Sequence, residues 1–377
     1  MRQIYLDYNA TTPIAPSVVE AMTPFLTEHF GNASSSYARG RAASEAIEDA
    51  RMRLASLLGA NQEEIVFTSG GSESNNLAIK GAMLASGNDR GGHIVISGFE
   101  HPSVVQPTRF LERLGFDVSL AEPDRFGIVQ PEAVERVLTD ETRMVSIMHA
   151  NNEIGTIQPL RQIAEVCRAN DVLLHTDASQ SVGKIRTMID ELNVDLLSVA
   201  GHKFYAPKGV GALFVREGLE LEPVIHGAGQ EFGLRAGTEN TAAIVALGKA
   251  CSIAFQCMDE AADRMSSLRD TLATQICSSV PHAHVNGLQA PRLPNTLSIT
   301  LPRISGNELL NRIPELSAST GSACHSGTDD VSPTLHAIGM TAEQARGTIR
   351  LSIGWYTSGE EIERAAELII GAWESMQ

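Results

Sequence analysis

The chain has 377 residues, 43% of them hydrophobic and 20% charged, the composition of a soluble globular protein too long for one hydrophobic core. Its 29 Lys and Arg against 45 Asp and Glu give a formal net charge of −16, which argues against general binding of nucleic acid or of an anionic membrane. No stretch reads as a bilayer span, and Met1–Tyr8 lacks the charged leader and apolar run of a secretory signal.

Short apolar runs then alternate with helical stretches. Strands are predicted at Glu64–Thr68, His93–Ser97, Arg143–His149, Val172–Asp177, Asp195–Val199 and Gly211–Val215, with helices between several of them, such as Leu160–Asn170. This alternation predicts a mostly parallel sheet wrapped by helices, with ligands beyond the carboxyl ends of its strands. From about Thr238 the pattern changes. Glu239–Cys257 and Glu260–Ser279 read as two long helices, followed by a strand (Asn295–Thr300), a helix (Gly306–Arg312), a Gly/Ser-rich loop (Ser319–Gly327), a strand (Thr348–Ile353) and a closing helix (Ser358–Met376). The expectation is a large domain over residues 15–258 and a smaller α+β domain over 259–377, which the N-terminal residues 1–14 join.

The residues with chemistry to offer cluster after strands. In Phe67–Asn76 a strand enters, Gly70 and Gly71 turn and a helix begins. Backbone N–H groups and Ser72 there suit a phosphate, although no Gly-Lys-Ser/Thr of a Walker loop follows, and taken alone an ordinary strand-to-helix turn is the better reading. His101, between Glu100 and Pro102, suits stacking on an aromatic cofactor or relaying protons, or is a plain loop histidine. Asn152 is a donor for a phenolic oxygen or a turn asparagine. Asp177 could keep a cofactor ring nitrogen protonated, or cap a helix. Lys203 closes Ser198–Lys203 just past an apolar strand, where partial desolvation turns an amine into a nucleophile toward aldehydes; the alternative is a surface lysine.

Of the five cysteines, Cys167, Cys251, Cys257 and Cys277 sit in apolar helical stretches and read as core, whereas Cys324 lies in the small-residue loop and is the reactive candidate. They form no C-x-x-C pair and no even framework, so free thiols in a reducing compartment are expected. Arg350, inside an apolar strand, needs an anion: a substrate carboxylate or an internal ion pair.

Together, and in this order, these segments are similar to the cysteine desulfurases of the NifS/IscS-like class V aminotransferase family, pyridoxal-phosphate enzymes of fold type I. The matching runs include Tyr5–Thr12, Gly31-Asn32, Ser69–Lys80, Asn151–Gly155, Asp177–Gln180, Gly201–Lys203, Gly237–Asn240, Gly321–Cys324 and Arg350, nearly the whole length. The resemblance implies an α/β fold with a mostly parallel, mixed seven-stranded sheet. It implies that Lys203 is the Schiff-base lysine, that Asp177 pairs with the pyridine nitrogen and that His101 stacks on the ring and shuttles protons. Asn152 and Gln180 would face the phenolic oxygen. Gly71, Ser72 and His202 would hold the phosphate of pyridoxal 5'-phosphate, with Thr238 reaching it from the second subunit of a homodimer. Arg350 and Asn152 would bind the carboxylate of L-cysteine, and Cys324 would take the sulfur as a persulfide for a sulfur-acceptor protein serving Fe–S cluster assembly or thio-modification. No metal, nucleic acid or membrane partner is implied, and a cytoplasmic setting is.

The chain departs from the family pattern at Ala200, where a serine is usual, at Gly71-Ser72 in place of Ala-Thr, at Tyr37 in place of a histidine, at Ala228, Phe232 and Ala236 before Thr238, and at Trp355 in place of an arginine. Alternative readings are a selenocysteine lyase, which the Ala-Cys-His-Ser run also resembles, a transaminase of the same group, and a sulfur-relay scaffold without catalysis.

Overall fold

A computed structural model describes residues 3–85, 91–320 and 331–377 of the chain. Strand β1 (Ile4–Tyr5) precedes the strands of the main sheet: β2 (Ile65–Thr68), β3 (His93–Ser97), β4 (Asp117–Ala121), β5 (Thr142–Ser146), β6 (Leu173–Asp177), β7 (Leu196–Ala200) and β8 (Gly211–Val215). These seven lie in the order β2-β8-β7-β6-β5-β3-β4. All neighbouring pairs are parallel except those made by β8, which runs antiparallel to β2 and β7.

Alternation along the strands explains the double burial. Ile65, Phe67, Val95, Val145, Leu197, Val199 and Phe214 belong to one buried cluster, while Val66, Ile94, Ile96, Met144, Leu196 and Leu213 belong to another. A sheet covered on both faces needs apolar residues at every position, which is why its central strands were readable as apolar runs. Strand β4 was not: it is an edge strand with Asp117 and Leu120 exposed, so its sequence lacks such a run. The expected Arg143–His149 strand stops at Ser146, but Ile147 and His149 still donate to the carbonyls of His175 and Asp177.

The remaining strands are β9 (His284–Val285), β10 (Thr296–Thr300), β11 (Leu316–Ser317), β12 (Ser319–Thr320) and β13 (Thr348–Ser352). Four form an antiparallel sheet in the order β12-β13-β10-β9, and β1 pairs with β11 in parallel. Their core gathers Ile4, Leu6, Leu297, Ile299, Ile349, Leu351, Ile362 and Ile369, so the N-terminal segment packs with the C-terminal third.

Three expectations are corrected by one helix. Thr241–Ser279 is a single helix of 39 residues, not two. Its first part buries Ala243, Leu247 and Cys251 in the core of the main sheet, and its last part buries Met265, Leu272 and Ile276 in the second core. The apolar pattern lapses between them, where residues 255–257 are exposed, but no Gly or Pro interrupts the backbone. By length and composition alone this helix could also cross a membrane, contrary to the sequence reading, although more than half of its most apolar window is buried inside the protein. It also corrects the cysteine reading: Cys257 and Cys277 face outward on it and are exposed, while Cys167 and Cys251 are buried.

Candidate active site

The carboxyl ends of β2, β3, β5, β6 and β7 converge on one cavity of 560 Å³. His101, Asn152, Asp177, Gln180, His202, Lys203, Arg350, Gly71 and Ser72 all line it. Cys324 lies outside the described residues. Thr238 is exposed and does not line this chain's cavity.

The turn after β2 is shaped by close approach. Gly70 adopts φ 146°, and a Cβ on Gly211 at the start of β8 would stand 2.6 Å from Gly70 Cα and 2.4 Å from the Val199 carbonyl. Only glycines let the two backbones touch, and the result aims the N-terminus of helix Gly71–Leu84 into the cavity.

Lys203 follows β7 in a short 3-10 turn, Gly201–Lys203. Its Nζ donates to the carbonyls of Asn9 (2.7 Å) and Ala10 (2.8 Å) and, among the described residues, pairs with no carboxylate. Burial, helped by the Arg350 charge and opposed by Asp177 and Asp7, brings its pKa down to about 8. About a tenth of this amine is therefore neutral and nucleophilic at pH 7, far more than of an ordinary lysine.

Asp177 ends β6 and is buried. Its Oδ2 accepts from Asn75 Nδ2 at 2.7 Å and its Oδ1 accepts from the Ser179 N–H at 2.9 Å. Asn75 Nδ2 also donates to Ser103 Oγ (2.7 Å), which lies 2.7 Å from His101 Nδ1. A second donor, the Ser103 N–H, reaches the same Nδ1 at 3.1 Å, which leaves Nε2 to carry the ring proton. Burial lowers the His101 pKa, so the neutral ring is favoured. His202 is held neutral too, at about 4, by burial and by Lys203, Lys208 and Lys184.

Of the two readings offered for Arg350, the internal ion pair is the one observed. Its Nη2 pairs with Asp7 Oδ1 at 2.7 Å and with Ser319 Oγ at 3.0 Å, an internal ion pair, while Nη1 donates to the Asn152 carbonyl at 3.1 Å. Its buried Nε finds no partner among the described residues, and the side chain still faces the cavity.

Several site residues escaped the sequence reading. Asn9, 1% exposed, is the hub. Its carbonyl accepts from Lys203 and from Gln180 Nε2, and its side chain joins Thr296, Asn295 and the Asn152 carbonyl. Lys184, also buried, donates to Gln180 Oε1 at 2.7 Å and Asn9 Oδ1 at 3.3 Å; burial, with Lys203 and Arg350 nearby, pushes its pKa well below the ordinary lysine value. Glu100, next to His101, accepts from Ser97 Oγ and the Met148 N–H, and burial raises its pKa to about 8. A lysine three residues after Ser181 in Ser181-Val182-Gly183-Lys184 was the one signal available; the others become visible only in three dimensions.

Thr238 ends an arch, residues 229–238, that returns along β2. Glu231 in this arch makes a paired hydrogen bond with Arg51 (2.8 and 2.9 Å) and accepts from the Phe67 N–H at 2.7 Å. The Arg51 guanidinium lies between the rings of Phe67 (4.7 Å) and Phe232 (5.1 Å). Glu231 and Phe232 hold φ of 46° and 58°, left-handed values that this anchoring must sustain.

Residues 4–365 match the aminotransferase class-V family. A cysteine desulfurase IscS of Dictyoglomus turgidum is 44% identical over 370 residues, covering 98% of this chain and 94% of that protein. Among solved structures, a NifS-like protein superposes with a TM-score of 0.92 at 35% identity, covering 99% of this chain and 100% of that one. SspA in complex with cysteine superposes with a TM-score of 0.84 at 38% identity, covering 94% and 99%. The cavity at the carboxyl ends of the parallel strands, the desolvated lysine within it and these likenesses agree: the chain belongs to the aminotransferase class-V family, among its cysteine desulfurases.

Proposed function

We propose that the protein uses pyridoxal 5'-phosphate to convert L-cysteine to L-alanine, with Cys324 receiving the sulfur. One observation carries this reading: a lysine amine with a pKa near 8 shares a cavity with a buried carboxylate, a neutral histidine and an arginine. The cysteine held by the SspA relative supports the choice of substrate.

The residues present suit the cofactor. Lys203 would tether it by its amine. Asp177, fixed on both oxygens by Asn75 and Ser179, would face the ring nitrogen and keep it protonated. The turn at Gly71 and Ser72, with His202, would hold the phosphate, and His101 would cover the ring. Gln180 has its oxygen engaged by Lys184 and one N–H given to the Asn9 carbonyl, so the second N–H of its amide is the group left to serve an acceptor. When bound, the cofactor supplies the electron sink that makes the substrate α-proton acidic and weakens the Cβ–S bond.

The chain supplies the rest. Arg350, steered by Asp7, would bind the substrate carboxylate through its outward N–H groups, beside Asn152. Lys203 would be the base that takes the substrate α-proton and holds it at Nζ. His101, with its proton on Nε2, serves the sulfur side. The Cys324 thiolate attacks the substrate sulfur. The S–S bond forms as the Cβ–S bond breaks, and the electron pair left on carbon is protonated to give the methyl group of alanine. Cysteine and one thiol thus become alanine and one persulfide, with no outside oxidant.

The persulfide then passes to an acceptor protein, in a reducing, cytoplasmic setting. The active unit we infer is a homodimer in which Thr238 of each chain completes the phosphate site of the other; its exposed position at the end of an anchored arch supports this.

The test is incubation with L-cysteine, quantification of alanine and mapping of added sulfur by mass spectrometry. We expect one extra sulfur on Cys324, and loss of turnover in Cys324→Ala. Alanine released with no sulfur on Cys324 would overturn its role, and a protein that stays colourless with added pyridoxal phosphate would overturn the whole reading.

A further inference from the structure

The turn that opens helix Gly71–Leu84 carries an unexplained glycine. Gly71, unlike Gly70, does not have a positive φ, so its backbone conformation does not call for glycine. Inside a helix glycine costs roughly 1 kcal/mol relative to alanine. Room is the better reason. A Cβ on Gly71 would stand 2.9 Å from Ser179 Oγ and 3.1 Å from Ala200 Cβ. The hydroxyl of Ser179 and the methyl of Ala200 therefore flank the same bare Cα, and all three positions line the cavity beside Ser72 and His202.

Ala200 offers an anion nothing. Ser179 has a hydroxyl to offer. Its backbone N–H is already committed to Asp177 Oδ1, which fixes the residue in place. Its Oγ makes no hydrogen bond among the described residues, although the side chain is half-buried. A half-buried donor without a partner, aimed at a helix N-terminus across a glycine that makes way for it, is arranged for a ligand.

We propose that Ser179 is a ligand of the cofactor phosphate in this chain, donating from the side that Ala200 leaves bare, and that Gly71 is glycine to admit its hydroxyl. The inference rests on the pyridoxal-phosphate reading above and adds a residue to it. Three positions act together: an alanine at 71 displaces the hydroxyl, and an alanine at 179 removes the need for glycine.

The experiment titrates the full-length apoprotein with pyridoxal phosphate and, separately, with pyridoxal, following the bound chromophore. A hydrogen bond to a charged group supports an expected loss of about tenfold to a hundredfold in pyridoxal-phosphate affinity for Ser179→Ala, with pyridoxal affinity and melting temperature unchanged. Adding Ala200→Ser to Ser179→Ala should restore most of the affinity, because it returns a hydroxyl to the other flank of Gly71. Gly71→Ala should weaken binding in the wild-type background and have no further effect in Ser179→Ala. Unchanged pyridoxal-phosphate affinity in Ser179→Ala, or an equal loss for pyridoxal, overturns the inference. A wild type that binds no chromophore overturns the cofactor reading itself, and this inference with it.

Discussion

An amine that donates to two carbonyls and, among the described residues, pairs with no carboxylate has lost the usual reason to stay charged. Lys203 is in that position, and burial is the leading cause of its low pKa, with Arg350 second. Labelling of Lys203 in the apoprotein by an amine-reactive probe should therefore rise with a midpoint near pH 8. Arg350→Met should move that midpoint upward, since it removes a neighbouring positive charge. Between about pH 8 and the ordinary lysine value the unfolded chain holds a proton that the folded chain does not, so this residue makes stability rise with pH across that window.

Glu100 behaves in the opposite sense. Its folded pKa of about 8 lies above the ordinary 4.5, so the folded chain holds the extra proton and stability falls as pH rises from 4.5 to 8. The slope from one such group is at most about 1.4 kcal/mol per pH unit. Glu100→Gln mimics the protonated acid, and urea melts at pH 5 and pH 8 should show that part of the slope gone. The residues that stood out in the sequence, Lys203, Asp177 and His101, sit at or soon after the end of a strand. Asn9, Lys184 and Asn75 did not stand out, because they act by bonding to those residues from elsewhere in the chain, and nothing local marks a distant partner.

At the scale of elements, strands buried on both faces were legible, β2 at one edge of the sheet included, and the exposed edge strand β4 was not. Strands β3 and β8 were expected at their observed ends, whereas β4 went unread with its exposed Asp117 and Leu120. The arch over 229–238 was equally opaque, since no local pattern announces that Glu231 will find Arg51, 180 residues earlier. That pair is almost fully buried. Removing one partner strands the other: Arg51→Met should cost about 3–5 kcal/mol, measured by urea unfolding, because Glu231 is left buried without its cation. Cofactor binding should weaken as well under the proposed dimer, since the arch carries Thr238.

For the whole molecule, the mostly parallel sheet follows from alternation and apolar runs, but the relation between two chains does not. The proposed exchange of Thr238 makes a sharp prediction. Lys203→Ala and Thr238→Ala homodimers should each be impaired, yet subunits mixed and reassembled should recover activity. In such a hybrid the Thr238→Ala chain supplies Lys203 and its partner supplies Thr238, so one of the two sites is intact. Hybrids no better than their parents would place Thr238 outside the partner's site.

The long helix Thr241–Ser279 sets a mechanical condition on all of this. Each end is clamped in a packed core, and its bare middle crosses between them without a kink-forming residue. A rod fixed at both ends resists bending. Asn9 adds a second tie, stitching the Lys203 floor to Thr296 and Asn295 of the other core. The two halves of the cleft should then move as one body. The traffic of a small amino acid in and of sulfur out falls to chain segments that the rod does not brace, so turnover should respond far more to crowding around those segments than to solvent viscosity acting on the bulk of the protein.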